Sequence, residues 1–309
     1  MSASPVQLLL PPLRHWPRPL PERIARTLGR ADRVGAAMGA VTDVPASAAL
    51  SRLGEGDLDI DAVRAHRWLR AEPAWIRPDI NGARLYAVGA MLPLDANDAA
   101  SFAPELQALF DDAGYRLETV APHRWYLRMP RDAVVPRFAT PATALGADPF
   151  DHRPEGEGAR EWRGLDNEVQ ITLHQHPRNR ERQQRGLPPI NALWWWGDAD
   201  LPDKWNSTIP TLHSDDPLLQ GLARVANMDA VALPPRWPSD AKGLYDLRGV
   251  SRDGFYEQWL QPALDDIEKG IAMQWMCEEG PGFHLKNLQR WRFWRRPFQL
   301  PNDNADALE

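Results

Sequence analysis

The stretch HPRNRERQQRGLPPINALWWWG, His176 to Gly197, decides how this chain is read. Four arginines (Arg178, Arg180, Arg182, Arg185) and two asparagines (Asn179, Asn191) flank a Gly-Leu-Pro-Pro turn, and Leu193 to Trp196 follows as an apolar run stopped by Gly197. A short apolar run bounded by turn residues reads as a buried strand. The segment is then a polar loop held by a core strand, with the strand fixing geometry and the loop supplying polar groups. The bland alternative is a surface helix end with solvated arginines.

Outward from this stretch, a helix is expected over about 166–176, preceded by a polar, loop-like passage over 138–163. Further upstream, residues 63–69 and 84–88 read as strands joined at Asn81-Gly82, a strong hairpin signal. Phe102, Leu106, Leu109, Phe110 and Ala113 recur at helical spacing, with Ser101 as the expected N-cap and Gly114 as the stop. Strands over 115–120 and 125–129 close a small α+β lobe. The chain opens with a strand over 6–10 and a helix over about 21–31. Downstream, helices are expected over 216–226 and 255–268, the latter kinked or restarted at Pro262, with short strands at 230–233 and 243–247. A closing β run is expected over 271–277, 283–286 and 288–293. In its last member, Trp291 and Phe293 would face the core while Arg290 and Arg292 face water.

The 309 residues allow one large α/β domain with an inserted lobe, or two domains. The 43% hydrophobic and 25% charged residues fit an ordinary globular chain, and no apolar run approaches the ~20 residues that span a bilayer. No signal-peptide pattern precedes Pro11-Pro12, so a cytoplasmic location and no membrane association are expected. One cysteine, Cys277, excludes an intrachain disulfide and a multi-cysteine metal site. The net charge of −6 argues against a nucleic-acid partner.

The pattern His-Pro-x-Asn-x-x-Arg-x-x-x-Gly-x-x-Pro-x-Asn, followed by apolar residues and Gly197, resembles archaeal-type cofactor-independent phosphoglycerate mutases. Over most of its length the chain resembles more closely the bacterial RpfE-type regulatory proteins. Supporting fragments are Asp148-Pro149, the Pro217-Leu218-Leu219-Gln220-Gly221 helix, and the lobe between about Leu53 and Pro136. The resemblance implies an alkaline-phosphatase-like α/β core with an inserted α+β lobe. In the mutases it also implies a two-metal site that moves a phosphoryl group through a serine phosphoenzyme. Domains are expected at 1–52 with 137–296 (core), 53–136 (lobe) and 297–309 (disordered acidic tail).

The chain departs from that pattern at the chemistry. The resemblance implies Asp and His ligands at the ends of the first and late strands, since two divalent metals are held by carboxylates and imidazoles. Here the first strand runs into Pro11-Pro12-Leu13, the late strand ends in Met276-Cys277-Glu278-Glu279, and His284 is the one histidine after His213. The clusters Asp148/Asp151/His152, Asp198/Asp200 and His213/Asp215/Asp216 are flanked by proline or glycine and read as turns and helix caps. No G-x-S-x-G elbow or phosphate-cradling glycine loop is present.

The expected protein is therefore a non-catalytic, regulatory or ligand-binding relative of the mutases, without metal or cofactor. It would take a small phosphorylated or carboxylate ligand at His176, Asn179, Arg182, Asn191, Asp148 and His152, with Arg182 and Asn191 lining one anion-accepting cleft. Two alternatives stay open. One is an active phosphoryl-transfer enzyme with ligands such as Asp148, His152 or Asp246; the other is an interaction module using exposed tryptophans.

Overall fold

A computed structural model describes residues 5–34, 47–80, 82–278 and 280–301. Its strands, in chain order, are β1 (Val6–Leu10), β2 (Asp32–Val34), β3 (His66–Asp79), β4 (Gly82–Val88), β5 (Arg116–Ala121) and β6 (Arg124–Pro130). They continue as β7 (Ala192–Trp196), β8 (Thr211–His213), β9 (Asp229–Val231), β10 (Leu244–Asp246), β11 (Met273–Cys277) and β12 (Gly282–Leu285). The α-helices are α1 (Glu22–Arg30), α2 (Ala48–Gly54), α3 (Ile60–Arg64), α4 (Ala96–Asp111) and the single turn α5 (Pro141–Ala144). They continue as α6 (Ala159–Gln175), α7 (Pro177–Gln184), α8 (Pro217–Val225) and α9 (Gln261–Glu268). This is a mixed α/β chain of two compact units, residues 1–44 with 204–309, and residues 45–203.

The first unit is built on a seven-stranded sheet of order β2-β12-β11-β1-β10-β8-β9. β1 pairs in parallel with β10 on one side and β11 on the other, β8 extends the parallel set through β10, and β12 and β2 run antiparallel at the far edge. A central parallel strand is covered on both faces, which is why VQLLL reads as a nearly unbroken apolar run. Leu8 and Leu10 pack into a cluster with Trp16, Ile24, Trp259 and Trp275, whereas Leu9 faces Leu212, Leu219 and Met276 on the opposite side. The expected interruption at Pro262 is real: a π-helical turn over Phe255–Leu260 gives way to α9, with Pro262 in its first turn.

The second unit holds a five-stranded sheet centred on the fourteen-residue β3, with β4, β6 and β7 all paired to it and β5 beyond β6. The β3–β4 hairpin is present, although Asn81 itself lies outside the described residues. β7 runs antiparallel to β3 from Arg70 opposite Trp196 to Ala74 opposite Ala192. Leu193 and Trp195 enter one core cluster and Ala192 and Trp194 another, so this strand is covered on both faces.

Several expectations are corrected. The unit boundaries fall at 44/45 and 203/204, not at 52/53 and 136/137, because β7 is bonded to β3 and brings α6 and α7 with it. Val63 belongs to α3, capped by Asp59. The helix expected from Ser101 begins at Ala96, where Asp95 and Asp98 form a reciprocal capping box, although Gly114 does terminate the region at φ +69°. The final strand does not form: Asn287–Trp291 is a 3-10 helix, and Trp291, Phe293 and Trp294 are exposed. Arg292 pairs instead with Asp32, and the Phe298 N–H donates to the Ala25 carbonyl at 2.8 Å, so the chain is packed at 298. Residues 302–309 of the expected tail lie outside the described residues. Among the described residues no helix is long and apolar enough to cross a membrane.

One glycine fixes the approach of β10 to β8. Gly243 has φ +83°, and a Cβ built on it would stand 2.2 Å from the Thr211 carbonyl oxygen. Gly243→Ala meets both strain and a backbone clash, and is expected to cost about 2 kcal/mol or more. Urea denaturation of the two proteins measures it; an unchanged midpoint contradicts the tight fit.

Candidate functional site

The strands β1, β10, β8 and β11 of the first unit are parallel, and their carboxyl ends are where open α/β sheets place their ligands. β10 ends in Asp246, which is 6% exposed. One of its carboxylate oxygens accepts from the Arg248 backbone N–H at 3.2 Å and from its Nε at 2.8 Å. The other accepts from Arg248 Nη2 at 3.0 Å and from the Ser214 hydroxyl at 2.8 Å. Arg248 Nη2 also donates to Asp216 at 2.7 Å, and Glu278, just after β11, lies 3.7 Å from Nη1.

A single guanidinium therefore gathers the carboxylate that ends β10 and those in the segments following β8 and β11. Burial opposes its charge, and Asp246, with Asp216 and Glu278, more than offsets that, holding the group above its ordinary range. Asp216 also caps α8, accepting from Leu218 N at 2.9 Å, as its position before a proline-started helix implies. Ser214 is fully buried and donates to a carboxylate already satisfied by Arg248, so nothing frees it as a nucleophile. Burial pushes the Cys277 thiol up to about 12, which leaves it protonated and inert at neutral pH. His213 stacks on Tyr245 at 4.2 Å with planes 2° apart, and burial lowers its pKa. A cavity of about 670 Å³ is lined by Asp216, Asp246, Arg248 and Glu278 of this cluster, together with Asp215 and Asp253.

Of the residues expected to bind a ligand, His176, Asn179, Arg182 and Asn191 are brought together in the second unit, where they bond largely to the fold's own backbone. His176 caps α7 through Nδ1, which accepts from Arg178 N, and its Nε2 donates to the Ser101 carbonyl. Asn179 donates to the carbonyls of Leu173 and Ile190 and accepts from Ile190 N, all within 2.7–2.8 Å. Asn191 clamps β3 by accepting from Ile76 N and donating to Ile76 O. Arg182 is fully buried and donates to Asp98 and to the carbonyls of Pro93 and Pro188, while Arg178 takes the other oxygen of Asp98. Burial lowers the Arg182 pKa, with Asp98 opposing. Of the anion cleft expected around Arg182 and Asn191, the structure shows Asn191 bonded to β3 backbone and Arg182 bonded to Asp98 and two carbonyls, with the buried Arg182 Nη2 left without a hydrogen-bond partner.

Asp148 caps the 3-10 turn Pro149–His152, accepting from Phe150 N at 2.9 Å, and stands apart from the Arg182 network, as does the half-buried His152. Asp198 and Asp200 are ion-paired with Arg67 and Arg131. Arg248 was missed in the sequence. Its signal was an acid and an arginine two residues apart at the end of a short buried strand.

No family model matches the chain. A probable 2,3-bisphosphoglycerate-independent phosphoglycerate mutase of Geobacter sulfurreducens is 31% identical over 134 residues, 41% of this chain and 30% of that protein. The 2,3-bisphosphoglycerate-independent phosphoglycerate mutase of Methanothrix thermoacetophila is 30% identical over 118 residues, 35% of this chain and 28% of its own length. The chain thus matches less than a third of either mutase. Two solved structures align more broadly and more distantly. The cofactor-independent phosphoglycerate mutase of Thermoplasma acidophilum aligns with a TM-score of 0.42 at 17% identity, over 91% of this chain and 89% of that one. The PH0037 protein of Pyrococcus horikoshii aligns with a TM-score of 0.49 at 12% identity, over 93% and 88%. The chain is similar in sequence to cofactor-independent phosphoglycerate mutases over these limited stretches.

Two sets of variants separate structural from ligand-binding roles. Asn191→Ala leaves both polar groups of Ile76 without their partner and should cost about 1–3 kcal/mol. Arg182→Met strands part of a buried carboxylate and should cost about 3 kcal/mol, reduced to the extent that Arg178 compensates. Thermal melting checks both, and wild-type melting temperatures would return the two side chains to a surface role. Arg248→Met, in the first unit, should also lose about 3 kcal/mol, because Asp246 is left buried beside Asp216. An unchanged urea midpoint would show the cluster to be solvated.

Proposed function

We propose that this chain is a phosphoglycerate-mutase-like protein that does not carry out two-metal phosphoryl transfer and acts as a regulatory or ligand-binding protein, of the kind the RpfE-type resemblance implies. Its first unit is read as a reduced alkaline-phosphatase-like core. The sequence similarity to the two mutases supports the ancestry, and the Arg248 cluster carries the functional reading.

A two-metal centre needs several carboxylate and imidazole donors turned toward one point. At the carboxyl ends of these strands β1 gives way to buried Pro11 and Pro12, both oxygens of Asp246 are engaged, and Asp216 is shared between Arg248 and the α8 cap. Among the described residues no group of three His, Cys, Asp or Glu side chains is arranged to hold a metal ion. The residues present do not fit a two-metal centre: a fixed organic cation stands among these carboxylates, and a guanidinium cannot ionise a bound water or expand its coordination around a transferring phosphoryl group.

The competing reading is an active phosphoryl-transfer enzyme whose metal ligands come from other positions, such as Asp148, His152 or Asp246. Asp246 is bound to Arg248, whereas Asp148 caps a turn in the other unit. Assays with 3-phosphoglycerate and manganese, magnesium or zinc are expected to stay at background. Turnover abolished by a chelator would establish the enzyme instead.

A further inference from the structure

A cavity of about 460 Å³ lies in the second unit, away from the Arg182 network, where α6 faces β7. Its size is within the range of small-molecule sites. The walls are aromatic: Trp162, Trp194 and Trp195 from α6 and β7, with Phe138 and Phe150 from the passage between β6 and α6. Trp162 meets Trp195 edge-on at 5.5 Å and Phe138 at 5.3 Å, so the walls are fixed against one another. Their indole N–H groups are already used, Trp162 on the Val134 carbonyl, Trp194 on the Ala139 carbonyl and Trp195 on Asp166.

Asp166 is the group these walls leave unexplained. It lines the cavity, accepting from Trp195 at 3.2 Å and from Gln170 Nε2 at 2.7 Å, and among the described residues no cation pairs with it. Two neutral donors leave about half of a carboxylate's acceptor capacity free. Burial raises its pKa, the two hydrogen bonds opposing, so the ionised form is held at a cost to the fold. Arg163, Asp166, Asn167 and Gln170 share one face of α6, which sets a guanidinium one helical turn from the carboxylate, and Arg153 adds a second guanidinium to the lining.

We propose that this cavity binds a small zwitterion of the amino-acid type: a protonated amine on Asp166, a flat apolar body between the aromatic walls, and a carboxylate toward Arg163 and Arg153. An ammonium gains from both the unpaired carboxylate and the indole faces, and the arginines supply the fork that a carboxylate takes. This site is independent of the Arg248 cluster and stands or falls without it.

The test is calorimetric titration of the full chain with L-tryptophan, tryptamine and indole-3-propionate, repeated on Asp166→Asn. L-Tryptophan is expected to bind, tryptamine more weakly, and indole-3-propionate, which lacks the amine, at least tenfold more weakly than L-tryptophan. Asp166→Asn, nearly isosteric, should weaken L-tryptophan at least tenfold while melting at or above the wild-type temperature, since it removes a half-buried charge that no cation pairs among the described residues. The three-ligand ranking on the wild-type protein decides the matter even if that variant folds poorly. Absence of L-tryptophan binding, equal binding of indole-3-propionate, or undiminished binding by a folded Asp166→Asn overturns the proposal.

Discussion

The Asp246–Arg248 pair is the interaction on which the first unit depends. Asp246 sits at the end of a buried strand flanked by β1 and β8, where a carboxylate without a cation would be expensive to hold. Arg248 answers it from two residues away, and in doing so also engages Asp216 at the start of α8 and Glu278 after β11. The loops after three strands are thereby tied to one planar group, whose five fixed donors suit several oxygens at once. The chemistry of the sheet's carboxyl end follows from that choice. Acids bound to an internal guanidinium are neutralised and oriented by it.

The second unit solves an analogous problem at Asp98. Its carboxylate, 1% exposed, serves the N-terminus of α4 and is shared by Arg178 and Arg182 from α7. Asn179 and Asn191 then satisfy the backbone where α6, β3 and β7 meet. These polar side chains are spaced as a recognition motif would be, because closing a proline-rich turn against a doubly covered strand demands the same hydrogen-bonding residue types. Most of their polar atoms are spent on holding the scaffold together, the buried Nη2 of Arg182 being left without a partner.

Much of the scaffold was legible. Doubly buried strands such as β1 and β7 are announced by continuous apolar runs, and the Pro262 interruption and Gly114 stop are local backbone constraints that tertiary packing does not override. The closing segment was not legible. Trp291 and Phe293 alternate with arginines as in an amphipathic strand, yet Arg292 reaches Asp32 and the segment forms a 3-10 helix with its aromatic rings outside. Alternation records which residues could share a face, not whether a partner strand exists. The direction in which Arg182 points was equally hidden, since its partner Asp98 lies 84 residues away. Asp246 and Arg248 were visible only as neighbours in sequence; their convergence with Asp216 and Glu278 comes from the parallel strand order.

On the proposed reading, Arg248 takes the role of resident cation among the carboxylates at the sheet's carboxyl end. Titration of the wild-type protein with manganese, followed by calorimetry or by loss of the free-ion electron spin resonance signal, tests it directly. The account predicts no micromolar site. Stoichiometric binding of one or two manganese ions per chain, lost when Asp246 is replaced by Asn, would contradict it.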